Sequence, residues 1–375
     1  MPDALNFEPL RSAPRLLMEA ELKPVQGDRF QPTGFADLGA AVYERPDGTR
    51  MLLVESAQSV ANRLEASCLE GGVGPRPIKE FEGLPYVRVK LTGVTETETS
   101  SLVEAHRLNS PYIISKDSVF IASNRSFQAA FVEKAKYAKG KPLDWKSIAA
   151  AFFYFDPNSL LHGAFMANLE DGRVRVPRAI SGFIEAQDVR EAASGGVKNN
   201  PIDPTGTIRA KGFDEDVYSN VPYHRTEFTA RRIVAYFNLD LALLRGYGLA
   251  DAAFELLVAL GLYKVLRFLD AGLRLRTACD LAVVNGVRVT APGGFQLPTE
   301  RAWEKVLKTV TERIQACNTA GLFVERPVTE LVVETVRKEK KQKRRGPARR
   351  HGQTTGMRTK TTGRRRGWSP SSFGS

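Results

Sequence analysis

Charge along this chain is divided so unevenly that it decides which part can fold. From Arg337 to Ser375 there are 14 Lys and Arg against one acid, Glu339, a net of +13. Residues 1–336 hold 40 basic and 41 acidic side chains, so the body is almost neutral although the whole chain carries +12. Lys, Arg, Gly, Ser and Thr dominate the terminal stretch, with Trp368 and Phe373 as its only aromatics. Such a segment lacks the apolar surface needed to offset its conformational entropy, and 337–375 reads as a disordered basic tail. A hydrophobic content of 42% is ample for a core in the rest. Any nucleic-acid surface on the body must therefore come from local clustering of arginine, not from bulk charge.

The body reads as mixed α and β. Residues 13–21, 51–56 and 85–93 have the apolar pattern of strands, with Val87, Val89 and Leu91 on one face of the third. Between them, Ala57, Val60, Ala61, Leu64 and Cys68 form a helical stripe over 56–69, ended by Gly71, Gly72, Gly74, Pro75 and Pro77. Residues 116–156 look mostly helical, broken at Pro142. The Gly/Pro/Asn-rich stretch SGGVKNNPIDPTG (194–206) reads as a long irregular loop. Alternation over 232–244 predicts a strand; GYG (246–248) then leads into an apolar helix reaching about Asp270. That helix carries Asp251, Glu255, Lys264 and Arg267, too many charges for a membrane span. In LRLRTACDL (273–281) a strand would turn Leu273 and Leu275 inward and Arg274 and Arg276 together onto the other face. Asn285-Gly286 signals a hairpin turn, 301–318 an amphipathic helix and 327–334 a last strand. Strand–helix–strand units at both ends with an irregular middle give an α+β architecture, a ferredoxin-like or RRM-like sheet carrying insertions.

Enzymatic motifs are missing. There is no phosphate-binding G-x-x-x-x-G-K-[ST], no G-x-G-x-x-G after a strand, no H-E-x-x-H and no G-x-S-x-G. Cys68, Cys279 and Cys317 are far apart and odd in number, which argues against a disulfide framework or a zinc knuckle and fits a reducing cytoplasm. The start MPDALNFEPL lacks the pattern of a signal peptide. His106, His162, His224 and His351 stand apart from one another; His162 reads as a packed or capping residue rather than a base. Asp280 reads as a strand-end aspartate bonded to backbone rather than a metal ligand.

What recurs is arginine among small or polar residues at element ends. Ser56 caps a helix whose first turn presents Gln58, Ser59 and, beyond, Arg63, an arrangement equally suited to a phosphate and to a solvated helix. Arg173, Arg175 and Arg178 lie in RVRVPR; Arg225, Arg231 and Arg232 accompany Tyr223 and Phe228 in YHRTEFTARR. The second mixture suits RNA backbone and base stacking, though a salt-bridged surface uses the same residues.

Several of these stretches together resemble a known family. ESAQSVANRLE, EAHRLNSPYI (104–113), PNSLLHGAF (157–165), SGGVKNNPIDPTG, EFTARRIVAYFNLDLALLRGYGL (227–249) and FLDAGLRLRTACDL (268–281) look like the backbone subunit of the type I-G (formerly I-U) CRISPR Cascade, of the Cas-seven group of the RAMP superfamily. The resemblance runs over about 10–335 and leaves out the basic tail. It implies a hand-shaped, modified RRM palm over 1–336, with finger and thumb segments inserted at roughly 94–222. It further implies a cytoplasmic, non-catalytic ribonucleoprotein subunit of antiviral defence, needing no cofactor or metal. Copies would polymerise along CRISPR RNA, hold its backbone and leave its bases free to pair with target DNA. Its other partners would be a large subunit, an RNA-processing or end-capping subunit and a recruited helicase-nuclease, with no membrane. RNA contacts would fall to Ser56, Gln58, Ser59, Arg63, Arg274 and Arg276, and to Lys198 and Asn199 in thumb material. Two alternatives stand beside this: a metal-dependent endoribonuclease of the same superfamily, and a general single-strand binder driven by the tail.

Overall fold

Alternating burial sets the first long strand. Leu16, Met18, Ala20 and Leu22 are buried along β1 (Arg15–Pro24), while Leu17 and Glu21 face out; a short helix α1 (Glu8–Ser12) precedes it. The computed structural model describes residues 5–35, 37–72, 74–169, 171–207 and 219–337. The basic tail, apart from Arg337, lies outside the described residues, as do 208–218 of the expected insertion.

A two-residue pair, β2 (Gly34–Phe35) and β3 (Gly39–Ala40), leads to β4 (Val42–Glu44), β5 (Arg50–Glu55) and helix α2 (Ala57–Ala66). Next come β6 (Tyr86–Gly93), β7 (Thr97–Ser100), α3 (Pro111–Ile114) and β8 (Val119–Phe120). Helices α4 (Phe127–Lys134), α5 (Trp145–Phe155) and α6 (Asn158–His162) follow, then the short β9 (Ala164–Phe165) and β10 (Arg175–Val176). A long hairpin of β11 (Ile180–Lys198) and β12 (Val221–Asp240) comes next. The chain closes with α7 (Leu241–Gly246), α8 (Asp251–Asp270), β13 (Leu273–Arg276), β14 (Cys279–Ala291), α9 (Ala302–Thr319) and β15 (Val328–Thr335).

Two sheets organise these pieces. The larger runs β13-β14-β1-β12-β11-β5-β4, every neighbour antiparallel. The smaller runs β7-β6-β15-β8, with β6 and β15 parallel. The molecule is thus mixed α+β with mainly antiparallel sheets. Helix α8 is apolar on nearly every side, so it must be covered all round. Leu239 and Ile180 of the large sheet lie on one side; a Cβ on Gly261 would meet the Leu239 methyls at 3.3 Å. Amphipathic α9 covers it from elsewhere through Val306, Val310 and Ile314. Among the described residues no helix is long and apolar enough to cross a membrane.

Three local expectations change. Residues 194–198 are not loop: they complete β11, paired with 221–225 of β12, leaving 199–207 irregular. Residues 241–244 leave the strand and enter α7, because Asp240 caps that helix by accepting from Leu243 N at 2.9 Å. Asn285 and Gly286 make no hairpin; both take positive φ and form a bulge where β14 slips register against β1.

The deepest polar contact joins three elements. A bulge in β5 sets Glu55 opposite Ile184, and Val54 and Glu55 are both fully buried. One carboxylate oxygen accepts from Ser59 Oγ and from Arg63 Nε (3.1 Å), both on α2; the other pairs with Arg276 of β13. Arg276 Nη1 also donates to the carbonyls of Gln31 and Val54, each 3.1 Å away, and Arg63 Nη2 donates to Leu275 O at 2.6 Å. The side chains of Arg276 and Arg63 are 23% and 32% exposed. Arg276 therefore does not share a solvent face with Arg274: its donors turn inward to the buried carboxylate. Replacing Glu55 by Gln leaves two guanidinium groups facing each other without their anion. The expected loss is about 2–3 kcal/mol, below the range for a wholly buried pair because both arginines reach some water. Denaturant midpoints at unchanged m-value check it.

Candidate nucleic-acid interface

The arginine-bearing segments fall into two main groups joined by α2. Ser56 is extended (φ −74°, ψ 157°), and its Oγ accepts from Ser59 N at 3.2 Å, so the sequence-expected cap is in place. Gln58, exposed on the first turn, donates to Asn62 Oδ1 (2.9 Å) and accepts from Arg178 Nη2 (3.0 Å). Farther along the same helix, Arg63 and Ser59 hold Glu55. Helix α2 thus touches the Arg178 segment at one end and β13 at the other.

Arg178 lies beside the end of α6 because of a glycine. Gly163 follows His162 with φ 79°, and a Cβ there would stand 2.9 Å from Val176 O and 3.0 Å from Arg178 N. Only a residue without a side chain lets the two backbones approach this closely. Arg107, itself at an uncommon φ of 51°, donates to Gly163 O at 3.0 Å and pairs with Glu65 of α2 at 2.7 Å. Arg175 stacks over the half-exposed Phe165 ring, 4.3 Å from its centroid.

These residues line an open groove of about 840 Å³. Its wall holds Arg107, Arg175, Arg178, His106 and His162 and not one carboxylate. Arg107 has Glu65 as its counter-charge, so the local imbalance that an anionic strand would find rests on Arg175 and Arg178. His162 is buried, and burial together with the charges of Lys264, Arg107 and Arg178 holds its imidazole well below the usual range, so it is neutral. Burial and the neighbouring Arg107 also lower Arg178.

The second group lies toward the connecting end of the β11–β12 hairpin, where Arg225 is opposite Ser194. Arg225 pairs with buried Glu227 at 2.6 Å and Arg29 approaches the same carboxylate at 3.7 Å. Arg274, three-quarters exposed, stands 4.0 Å from Asp280. This cleft of about 710 Å³ balances its arginines with Asp28, Glu227 and Asp280, so it lacks the groove's net charge.

The other expected contacts lie apart from both. Arg173 is held by Asp171 (2.7 Å) and Lys141 O (2.9 Å). Arg231 faces Asp188 (3.6 Å) and Arg232 faces Glu21 (3.7 Å). Lys198 and Asn199 are exposed at the end of β11, near exposed Val197, Ile202 and Tyr223. The sequence does not single out Arg107, although AHRLN stands inside one of the quoted motifs, and it gives His162 as a packed or capping residue. Among the described residues no group of three or more His, Cys, Asp or Glu could hold a metal, and all three cysteines are buried free thiols.

Behind the groove, Asp156 is buried and orients α6 by accepting from Asn158 N and Ser159 Oγ, both at 3.0 Å. Burial pushes its carboxyl up to about 6, against opposing hydrogen bonds from Ser159, Ser101 and Asn158 and the charge of Arg107. A folded-state value above the unfolded 3.8 means that the folded chain binds this proton more tightly. Its contribution is therefore most favourable below pH 4 and is lost as pH rises to about 6. The stability of the wild type relative to Asp156→Asn should fall by up to about 3 kcal/mol between pH 4 and 6.5, read from paired denaturation curves.

Residues 16–191 match the model of a family described as CRISPR-associated protein GSU0053. That segment runs from β1 into β11 and contains α2, Glu55 and the whole groove. Among solved structures, a chain of a CRISPR RNA-guided surveillance complex (pre-nicking) is 16% identical, covering 80% of this chain and 87% of that one, with a TM-score of 0.37. Csc2 of Thermofilum pendens is 11% identical, covering 84% of this chain and 81% of its own, with a TM-score of 0.30. No curated protein matches the chain.

Proposed function

We propose that this chain, whose residues 16–191 match the model of the CRISPR-associated GSU0053 family, is the subunit that holds guide RNA in a type I-G Cascade surveillance complex. The observation that carries the reading is the carboxylate-free arginine groove, formed wholly within the family segment. Its arginines contact phosphates, and sequence reading is left to base pairing between guide and target DNA. A neutral body suits this role: each copy needs cations only for its own few nucleotides, and the stripe becomes continuous when copies polymerise along the RNA. Lys198 and Asn199, with exposed Val197, Ile202 and Tyr223 on the hairpin, suit contact with the next copy. The basic tail adds sequence-independent affinity. The large subunit, the end-capping subunit and the helicase-nuclease complete the assembly, and the last of these carries the DNA degradation.

Guide-length RNA binding measured against salt tests the groove. The Arg175→Ala, Arg178→Ala double variant should bind at least about tenfold more weakly and lose about 1–1.5 from the log–log salt slope, as expected for two phosphate contacts. Arg173→Ala, whose guanidinium already has Asp171, should bind as the wild type does. Removing 338–375 should weaken binding to every single strand alike while guide loading persists. Undiminished binding by the double variant would refute the groove, and loss of all loading on tail removal would favour the tail-driven binder.

The same preparation is expected to leave labelled RNA intact in the presence of Mg²⁺. Site-specific cleavage that disappears when one aspartate is changed would establish the endoribonuclease reading instead.

A further inference from the structure

One group in the groove has no partner inside the molecule. His162 closes α6 at 2% exposure, and neither Nδ1 nor Nε2 has a hydrogen-bond partner. Buried polar atoms are normally satisfied, and an imidazole with both nitrogens unmet is a standing cost to the fold. His162 is also one of the residues that line the groove, with Arg107 and Arg178.

The surroundings narrow what could satisfy it. Burial first, and then the charges of Lys264, Arg107 and Arg178, disfavour a second proton on the ring. A neutral imidazole has one N–H donor and one bare acceptor nitrogen. A phosphodiester oxygen accepts but cannot donate, so it serves the N–H alone, and Arg178, which has no carboxylate partner among the described residues, already provides for phosphate. The acceptor nitrogen needs a donor that brings no further positive charge. In a single-stranded nucleic acid the sugar–phosphate backbone has one such group, the ribose 2′-hydroxyl, which both donates and accepts and is absent from DNA.

We infer that His162 reads the 2′-hydroxyl of one nucleotide whose phosphate lies on Arg178, and that it makes the groove selective for RNA over DNA. The ring edge is covered in the free chain. Arg178, whose guanidinium bonds Gln58 and whose Nε lies 3.5 Å from His162 O, is the side chain that shifts to the phosphate and admits the ribose. The inference rests on the groove being the seat of the guide strand.

The test uses the full chain and fluorescence anisotropy with a guide-length RNA, the same sequence as DNA, and RNAs fully 2′-deoxy or 2′-O-methyl in a walking window. The wild type should bind RNA about tenfold more tightly than DNA, what one neutral hydrogen bond contributes. His162→Phe should bring RNA binding to within about twofold to threefold of DNA and leave DNA binding unchanged, whereas Arg178→Ala should weaken both. His162→Gln, which keeps a donor and an acceptor, should recover part of the preference. An unchanged RNA preference in a folded His162→Phe protein overturns the inference and leaves the guide-binding reading standing. Failure of the wild type to bind RNA at all overturns that reading instead. If His162→Phe does not fold, the modified RNAs decide with the wild type: no window in which 2′-deoxy or 2′-O-methyl weakens binding refutes ribose recognition.

Discussion

A carboxylate withdrawn wholly from water must find its counter-charges close by, and Glu55 sits where that demand draws three elements together. Arg63 arrives from α2 and Arg276 from β13, and both also bond main-chain carbonyls, so their direction is fixed from two sides. Arg276 reaches Gln31, which is bonded through its N–H to Ala278 O in the β13–β14 turn. The edge of the large sheet, the loop after β1 and the start of α2 therefore hold their mutual positions through one anion. Nearby Cys279, its thiol pushed up to about 11 by burial, stays an uncharged packing group beside these ions.

That junction also sets the groove. Once α2 is fixed at Arg63, its first turn presents Gln58 to Arg178 and its later turn presents Glu65 to Arg107. Two arginines are steadied from the helix side, while the opposite wall is shaped by Gly163 and the Arg175–Phe165 stack. The chemistry is an economy of position: the body has one more acid than it has bases, yet no Asp or Glu is among the described residues that line the groove. The groove wall holds arginines, neutral polar groups and a few apolar side chains such as Phe165 and Val176.

Much of the scaffold was legible from apolar spacing. The period-two run at 13–21, the stripe through Val60, Ala61 and Leu64, and the strongly apolar 251–270 each make one strong hydrophobic statement, and each forms the expected element. Less was legible where polar backbone pairing decides. Residues 194–198 and 221–226 are rich in Gly, polar and charged residues and owe their strand state to one another across the hairpin. The individual roles of the arginines were hidden for a different reason. Arg274 and Arg276 look equivalent in sequence, but a register shift in the β13–β14 ladder separates them and a buried acid 221 residues upstream claims the second. Arg107 and His162 became visible only when the turn at Gly163 brought their segments together.

The smaller sheet is built about its last strand. β8 reaches it only through β15, and β15 is also the parallel neighbour of β6. The large sheet similarly seats β12 between β1 and β11. Both central strands lie beyond residue 191, where the family match stops. As the chain leaves the ribosome, β1, β5, α2 and the groove segments are all present long before either sheet can close. For more than a hundred residues of synthesis beyond residue 191 the smaller sheet lacks its central strand, so the matched segment does not hold all the strands that either sheet needs.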